Sequence, residues 1–394
     1  MRSGLLSGAL LLLVGSSQLA DACTGDVKVT SQGDLDSIGG CHMYQGSITI
    51  NNVATPKLKF KGVQMIQGDV LVKDNDALSH LDLGDVQAID GELKLHNNKL
   101  LSHLDMPKLT AIRSFELAVL PALAALSFPA GLSQVQSFKV SDTTAARIEG
   151  LKMSKMSQLV IDNNIYLKSL PMSNMTSISD LVSVSANSPG LSLDLSGLQS
   201  IKEGSFRNLA GVALDKLSMI SGDVSFISNS FSELSIPEID EIGGTLTIFN
   251  NMQLGKLDMP KLHHLGGALA LGNNTALGAV RAFPNLEEVD GSLDITGAFD
   301  EVQLPKLSDV RGGLNVQTSS NKFSCSDMSK LKNGVIKGNA FVCKSAVAKP
   351  RSHIPGKAGI AGEGGDDASS GASKVALSSA AVMATAAGLF AYVF

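Results

Sequence analysis

Residues 244–274 read GTLTIFNNMQLGKLDMPKLHHLGGALALGNN, and within them a phrase of glycine, two alternating apolar residues and asparagine occurs twice, 23 residues apart. The phrase is found again as GSITINN at Gly46, GDVLVKDN at Gly68, GELKLHNN at Gly91 and GDVSFISN at Gly222, while GSLDIT at Gly291 and GGLNVQ at Gly312 continue it. Between Gly91 and Gly222 the glycine is lost, but the strand and its asparagine persist in SQLVIDNN (157–164) and LVSVSAN (181–187). Each repeat carries two further elements. One is L-x-x-L, at Leu78, Leu101 and Leu123; the other is a proline segment, with Pro-Lys-Leu at Pro56, Pro107, Pro260 and Pro305 and LDMPKL verbatim at Leu104 and Leu257.

A period of about 22 residues is too short for a strand, a full helix and a return, and suits a coil of two or three short strands joined by turns. Alternate side chains such as Val70/Val72, Leu93/Leu95, Leu246/Ile248 and Leu269/Leu271 then point inward and stack on their equivalents in the next coil, which makes parallel sheets. The expected fold is all-β: one right-handed parallel β-solenoid of the L-domain or leucine-rich-repeat type, roughly a dozen coils from about Gly46 to Val316. Asparagines at the turns, Asn75, Asn98, Asn229, Asn251 and Asn274, tolerate left-handed backbone and can hydrogen-bond carbonyls that the turn leaves unpaired, giving a structural ladder.

A column of coils has two open ends that must be capped. The four cysteines stand at these ends: Cys23 and Cys41 before the first coil, Cys325 and Cys343 after the last. Of the three possible connectivities, local pairing is favoured, because the ends of such a column lie tens of ångströms apart and a disulfide needs Cα atoms within about 7 Å.

The termini read as addresses. Residues 1–22 have a basic start at Arg2, an apolar core from Leu5 to Val14 and Ala20-Asp21-Ala22 at the cleavage position, the pattern of a secretory signal peptide. Residues 23–344 hold the repeats and 345–369 a flexible linker. Residues 370–394 read as the removed signal for a glycosylphosphatidylinositol (GPI) anchor, with Ser369 as the attachment site, because small residues, a polar spacer and an uncharged terminal apolar run occur in that order. The sequons Asn174-Met175-Thr176 and Asn273-Asn274-Thr275 are candidate N-glycosylation sites.

Composition narrows function. With 32 basic against 37 acidic residues, a net charge of −5, this is not a nucleic-acid binder, and with no Trp it lacks the indole platform that stacks sugars or bases. No G-x-S-x-G, Walker loop, H-E-x-x-H or CxxC is present, so no cofactor and no metal site are expected. Parallel β-solenoids can host polysaccharide-cleaving sites built from carboxylates on adjacent coils. Asp82, Asp105 and Asp258 share one repeat position, followed in two cases by Lys108 and Lys261, but Asp105 and Asp258 stand far apart along the column and suit a solvated stripe. His80, His96, His103 and His263-His264 have no zinc-like spacing and read as surface residues.

The repeats, together with SFRN at Ser205, the stretch from Val302 to Lys332 and VIKGNAFVC from Val335 to Cys343, resemble the fungal GPI-anchored cell-wall organisation family of the Ecm/Sps type, whose body is similar to receptor L-domains. The resemblance implies a secreted, GPI-anchored glycoprotein at the outer face of the plasma membrane or in the wall. It implies a non-enzymatic part in wall organisation and integrity, with wall polysaccharides or wall glycoproteins as partners and the membrane reached through lipid. The rival expectations are a wall-polysaccharide-modifying enzyme and a receptor-like binding module.

Overall fold

In the computed structural model, which describes residues 23–352, the chain is a parallel β-solenoid of about 13 turns. Each regular coil has three faces. Face A is a short strand before the corner glycine (Met43–Gln45, Met65–Gln67, His264–Leu265); face B follows the glycine (Ile48–Asn51, Val70–Lys73, Leu246–Phe249); face C is the strand after the B–C corner (Lys57–Lys59, His80–Asp82, Lys256–Asp258). Faces A and B share one 22-stranded sheet, whereas face C is broken into ribbons of two or three strands. All pairs are parallel, and most run in unbroken register, as in Ile48↔Val70 and Leu246↔Leu269, so equivalent repeat positions stack.

The period-two pattern drives this arrangement. Inward residues of face B, among them Val70, Val72, Leu93, Leu95, Leu246 and Ile248, are fully buried, and one apolar core runs from Val29 to Ile336. Phenylalanines from neighbouring coils stack inside it, Phe115 on Phe138 at 5.1 Å and Phe206 on Phe226 at 5.0 Å between ring centroids. The corner glycines are required by close approach. A Cβ on Gly91 would lie 2.2 Å from the carbonyl oxygen of Gly68, and one on Gly267 would lie 2.5 Å from the carbonyl carbon of Gly244. Faces A and B fuse into long strands in the stretch that follows, with the glycine still present in Ala88–His96 and missing from Ala111–Leu120, Lys155–Asp162 and Ser177–Ser185. The fused strands take up the misfit as irregular register, at Ile112/Ser114, Met156/Gln158 and Ile178/Leu181.

At the corner between faces B and C, two adjacent residues divide the work that the sequence reading gave to one. The left-handed residue is the one before the ladder position: Asn52, Asp74, Asn97, Val119, Asp142, Asn163, Ala186, Asn208, Ser228, Asn250 and Asn273 all have φ between 52° and 59°. The ladder residue follows it and points inward. Asn75, Asn98, Asn229, Asn251 and Asn274 are at most 4% exposed, and Asn164 and Asn187 add two more rungs. Asn251 shows the bonding: its Oδ1 accepts from the Asn229 N–H at 2.9 Å and from Asn229 Nδ2 at 3.0 Å, and its Nδ2 donates to the Phe226 carbonyl at 3.0 Å and to Asn274 Oδ1 at 3.1 Å. Leu120 and Leu209 interrupt the column, and Thr143 substitutes for asparagine by donating to Asn164 Oδ1 at 2.6 Å.

Both ends are covered. The strand Val27–Val29 and the helix Gln32–Ser37, which buries Leu35, close the first coil, with Cys23 bonded to Cys41. The Asp34 carboxylate accepts from the Thr30 and Ser31 N–H groups, which lowers its pKa and fixes the start of that helix. At the other end the helix Ser326–Leu331 buries Met328, and Cys343, bonded to Cys325, lies on the strand Phe341–Lys344 that pairs with the last coil. Beyond it, the Arg351 backbone carbonyl accepts from Asn315 Nδ2 at 2.9 Å and Gln317 Nε2 at 3.1 Å, which ties the end of the stretch 345–352 to face B.

Two outcomes test the corner. Replacing Asn251 by Leu strands the two Asn229 donors and the Phe226 carbonyl and is expected to cost about 1 to 3 kcal/mol per unsatisfied group in denaturant unfolding. Lys256→Leu removes only an exposed pair with Glu233 and should cost less than about 1 kcal/mol; equal midpoints for the two variants would show that the ladder does not bridge coils. Val119 is the β-branched member of the left-handed column. Val119→Asn is therefore expected to raise stability by about 1 kcal/mol, and a lowered midpoint would refute the backbone-strain account.

Candidate functional site

The carboxylates singled out in the sequence are distributed by the coil geometry. Asp82 and Asp105 are register partners on neighbouring coils of face C, whereas Asp258 lies in a separate ribbon opposite Ser235, seven coils further on, roughly 34 Å away at the spacing of strands. Each of the two neighbours has a basic side chain one coil behind it: Lys59 reaches Asp82 at 2.8 Å and His80 Nε2 reaches Asp105 at 2.6 Å. The hydrogen bond to Asp82 raises the Lys59 pKa, the expected effect of an opposite charge held close. Lys108 and Lys261 do not serve these aspartates; they bind Asp85 at 2.8 Å and Glu238 at 2.5 Å. Lys108 in turn is the largest cause of a lowered Asp85 pKa, supported by the Gly62 N–H.

The same rule covers the histidines. His80 stacks on His103 with ring centroids 5.5 Å apart, and His263 and His264 face Asp240 at 2.9 Å and Glu241 at 3.2 Å on the preceding coil. His96 stands apart from both groups, at the end of a fused strand. Repeats of nearly constant length thus place opposite charges in register from coil to coil. A general acid needs the reverse environment, a carboxyl pushed upward. Among the described residues burial raises the pKa of Asp162, and its neighbours are the Ser141 hydroxyl and Asp142 rather than a partnered acid and base. No group of three or more metal-ligating side chains occurs among the described residues.

A broad concavity lies on face A, across the coils where the strands begin to fuse. It is a groove of about 630 Å³ spanning five coils, from Met65 and Gln67 to Ser154 and Lys155. Its cause is local. The coil at 133–136 contributes a single bridge, Ala111↔Gln134, instead of a strand, and the next regular pairing begins at Ser137. Periodicity alone did not reveal this groove; the signal was the interrupted glycine column.

The sequons fall on exposed corners. The Asn273 side chain is in the left-handed column, where its Nδ2 donates to Asn250 Oδ1 at 2.7 Å, and Asn174 is exposed in the turn after face C. The signal segment 1–22, Ser369 and the anchor segment 370–394 lie outside the described residues, as does the linker beyond 352.

The chain is similar to fungal surface proteins over most of its length. It is 33% identical over 348 residues to the cell wall protein ecm33 of Schizosaccharomyces pombe, which covers 87% of this chain and 82% of that protein. It is 31% identical over 341 residues to a cell surface GPI-anchored protein of Arthroderma benhamiae, covering 86% and 87%. A third relative, the cell wall mannoprotein PST1 of Saccharomyces cerevisiae, is 32% identical over 321 residues, 81% of this chain and 71% of that protein. No family profile matches the chain, and no solved structure matches it.

Proposed function

The chain belongs to the fungal Ecm33/Sps family of cell-wall and cell-surface proteins, and from that premise we propose that it is a non-catalytic, GPI-anchored glycoprotein that supports cell-wall organisation as a stiff rod at the cell surface. The observation that carries this reading is the single apolar core running through every coil, with the charges outside it matched from one coil to the next. Such a column transmits load along its length, because bending it opens sheet hydrogen bonds and core contacts at once. The pairing of Asp82 with Lys59 and of Asp105 with His80 supports a structural stripe over an acid–base pair. The relatives' names, cell wall protein, cell surface GPI-anchored protein and cell wall mannoprotein, support the location.

Deleting the gene is expected to make cells hypersensitive to wall-perturbing dyes and to change wall composition, and the doubly substituted chain Asp82→Asn/Asp105→Asn should restore resistance fully. A double variant that reaches the surface at normal levels yet fails to rescue would favour catalysis on face C.

The anchor has its own test. We expect mature protein to end near Ser369, with phosphatidylinositol-specific phospholipase C releasing the membrane-bound fraction and glucanase releasing any wall-bound fraction. Recovery by mass spectrometry of a peptide containing Phe394 from protein that neither enzyme releases would establish a retained tail instead.

A further inference from the structure

We propose that the groove on face A is a binding site for a neutral, extended polysaccharide strand, an assignment that rests on the wall reading above and gives it a ligand. The groove's floor is made of small outward side chains, Ala88 and Ala111, over the buried Ile89, Ile112 and Val135. Gln67, Asp90, Arg113, Gln134, Gln136 and Lys155, all exposed, supply its polar groups.

Three properties select the ligand. The first is hydrogen-bonding type. Glutamine amides both donate and accept, as do sugar hydroxyls, and Gln67, Gln134 and Gln136 have side chains free to turn toward a guest because they stand on the surface. The second is charge. The polar lining holds two cations and one carboxylate, and Arg113 is already engaged with Asp90 through the Asp90 backbone carbonyl and a carboxylate at 3.8 Å. A polyanion would be served by cations without an acid between them, and a protein partner by exposed aromatic or aliphatic anchors, which this lining does not offer. The third is period. Register stacking repeats the polar positions every ~4.8 Å along the column for about 19 Å, close to the advance of an extended sugar chain from ring to ring. A strand running parallel to the column axis therefore meets a polar side chain at each step, Gln67, Asp90, Arg113 and Gln136 in turn. The coil at 133–136, which lacks a face A strand, lies within this strip.

The test uses the full chain, produced in a secreting fungal host and purified in detergent, with titration calorimetry against chitohexaose, cellohexaose and laminarihexaose and against an acidic hexasaccharide of the same length. Binding of at least one neutral probe is expected, with about a tenfold weakening in Gln67→Ala/Gln136→Ala and in Ala111→Phe, which fills the floor. Both variants should keep the parent's circular dichroism and melting temperature, because the altered side chains point outward. Failure of all neutral probes, tighter binding of the acidic one, or unchanged affinity in folded variants would overturn the assignment. Binding is read on purified protein, so this inference stands or falls separately from the deletion phenotype that tests the wall role.

Discussion

A coil of a solenoid must turn its backbone sharply three times without leaving a polar group unpaired in a core only one coil thick. At the corner between faces B and C this is met by a dipeptide. The first residue accepts left-handed backbone, which asparagine and aspartate do at little cost, and eight of the eleven stacked positions carry one of them. The second residue sends an amide inward, where it accepts from the previous coil's N–H and donates to a carbonyl behind it. Because each amide serves two coils, the corner is where stacking is enforced; the sheets and the core follow its spacing.

The glycine column works by the opposite principle, absence of a side chain. At Gly91 and Gly267 the backbone of one coil passes so close to the last that a methyl group would meet main-chain atoms. Coils that lack this glycine fold by straightening through the corner, at the cost of irregular register. The surface departs from the regular prism across these coils, and the groove on face A lies there.

Charge obeys the same periodicity. Lys256 to Glu233, Lys261 to Glu238 and His263 to Asp240 all join residues 23 apart. Each pair alone contributes little at an exposed site. Together they tie neighbouring coils to one another across the outer faces of the column.

The repeat, the parallel stacking and the places of the cysteines at the ends were legible from residue spacing, because a solenoid's contacts join positions one period apart and the period is written in the chain. The five ladder asparagines were legible for the same reason. Two things were not. Which member of Asn250-Asn251 or Asn273-Asn274 turns and which one bridges depends on φ at each residue, and adjacent identical side chains carry no mark of it. The groove depends on how coils of unequal length and missing glycines accommodate one another across five turns, a sum of small backbone displacements that local spacing does not encode. The tertiary structure decided both, because only there do main-chain atoms from neighbouring coils compete for the same space.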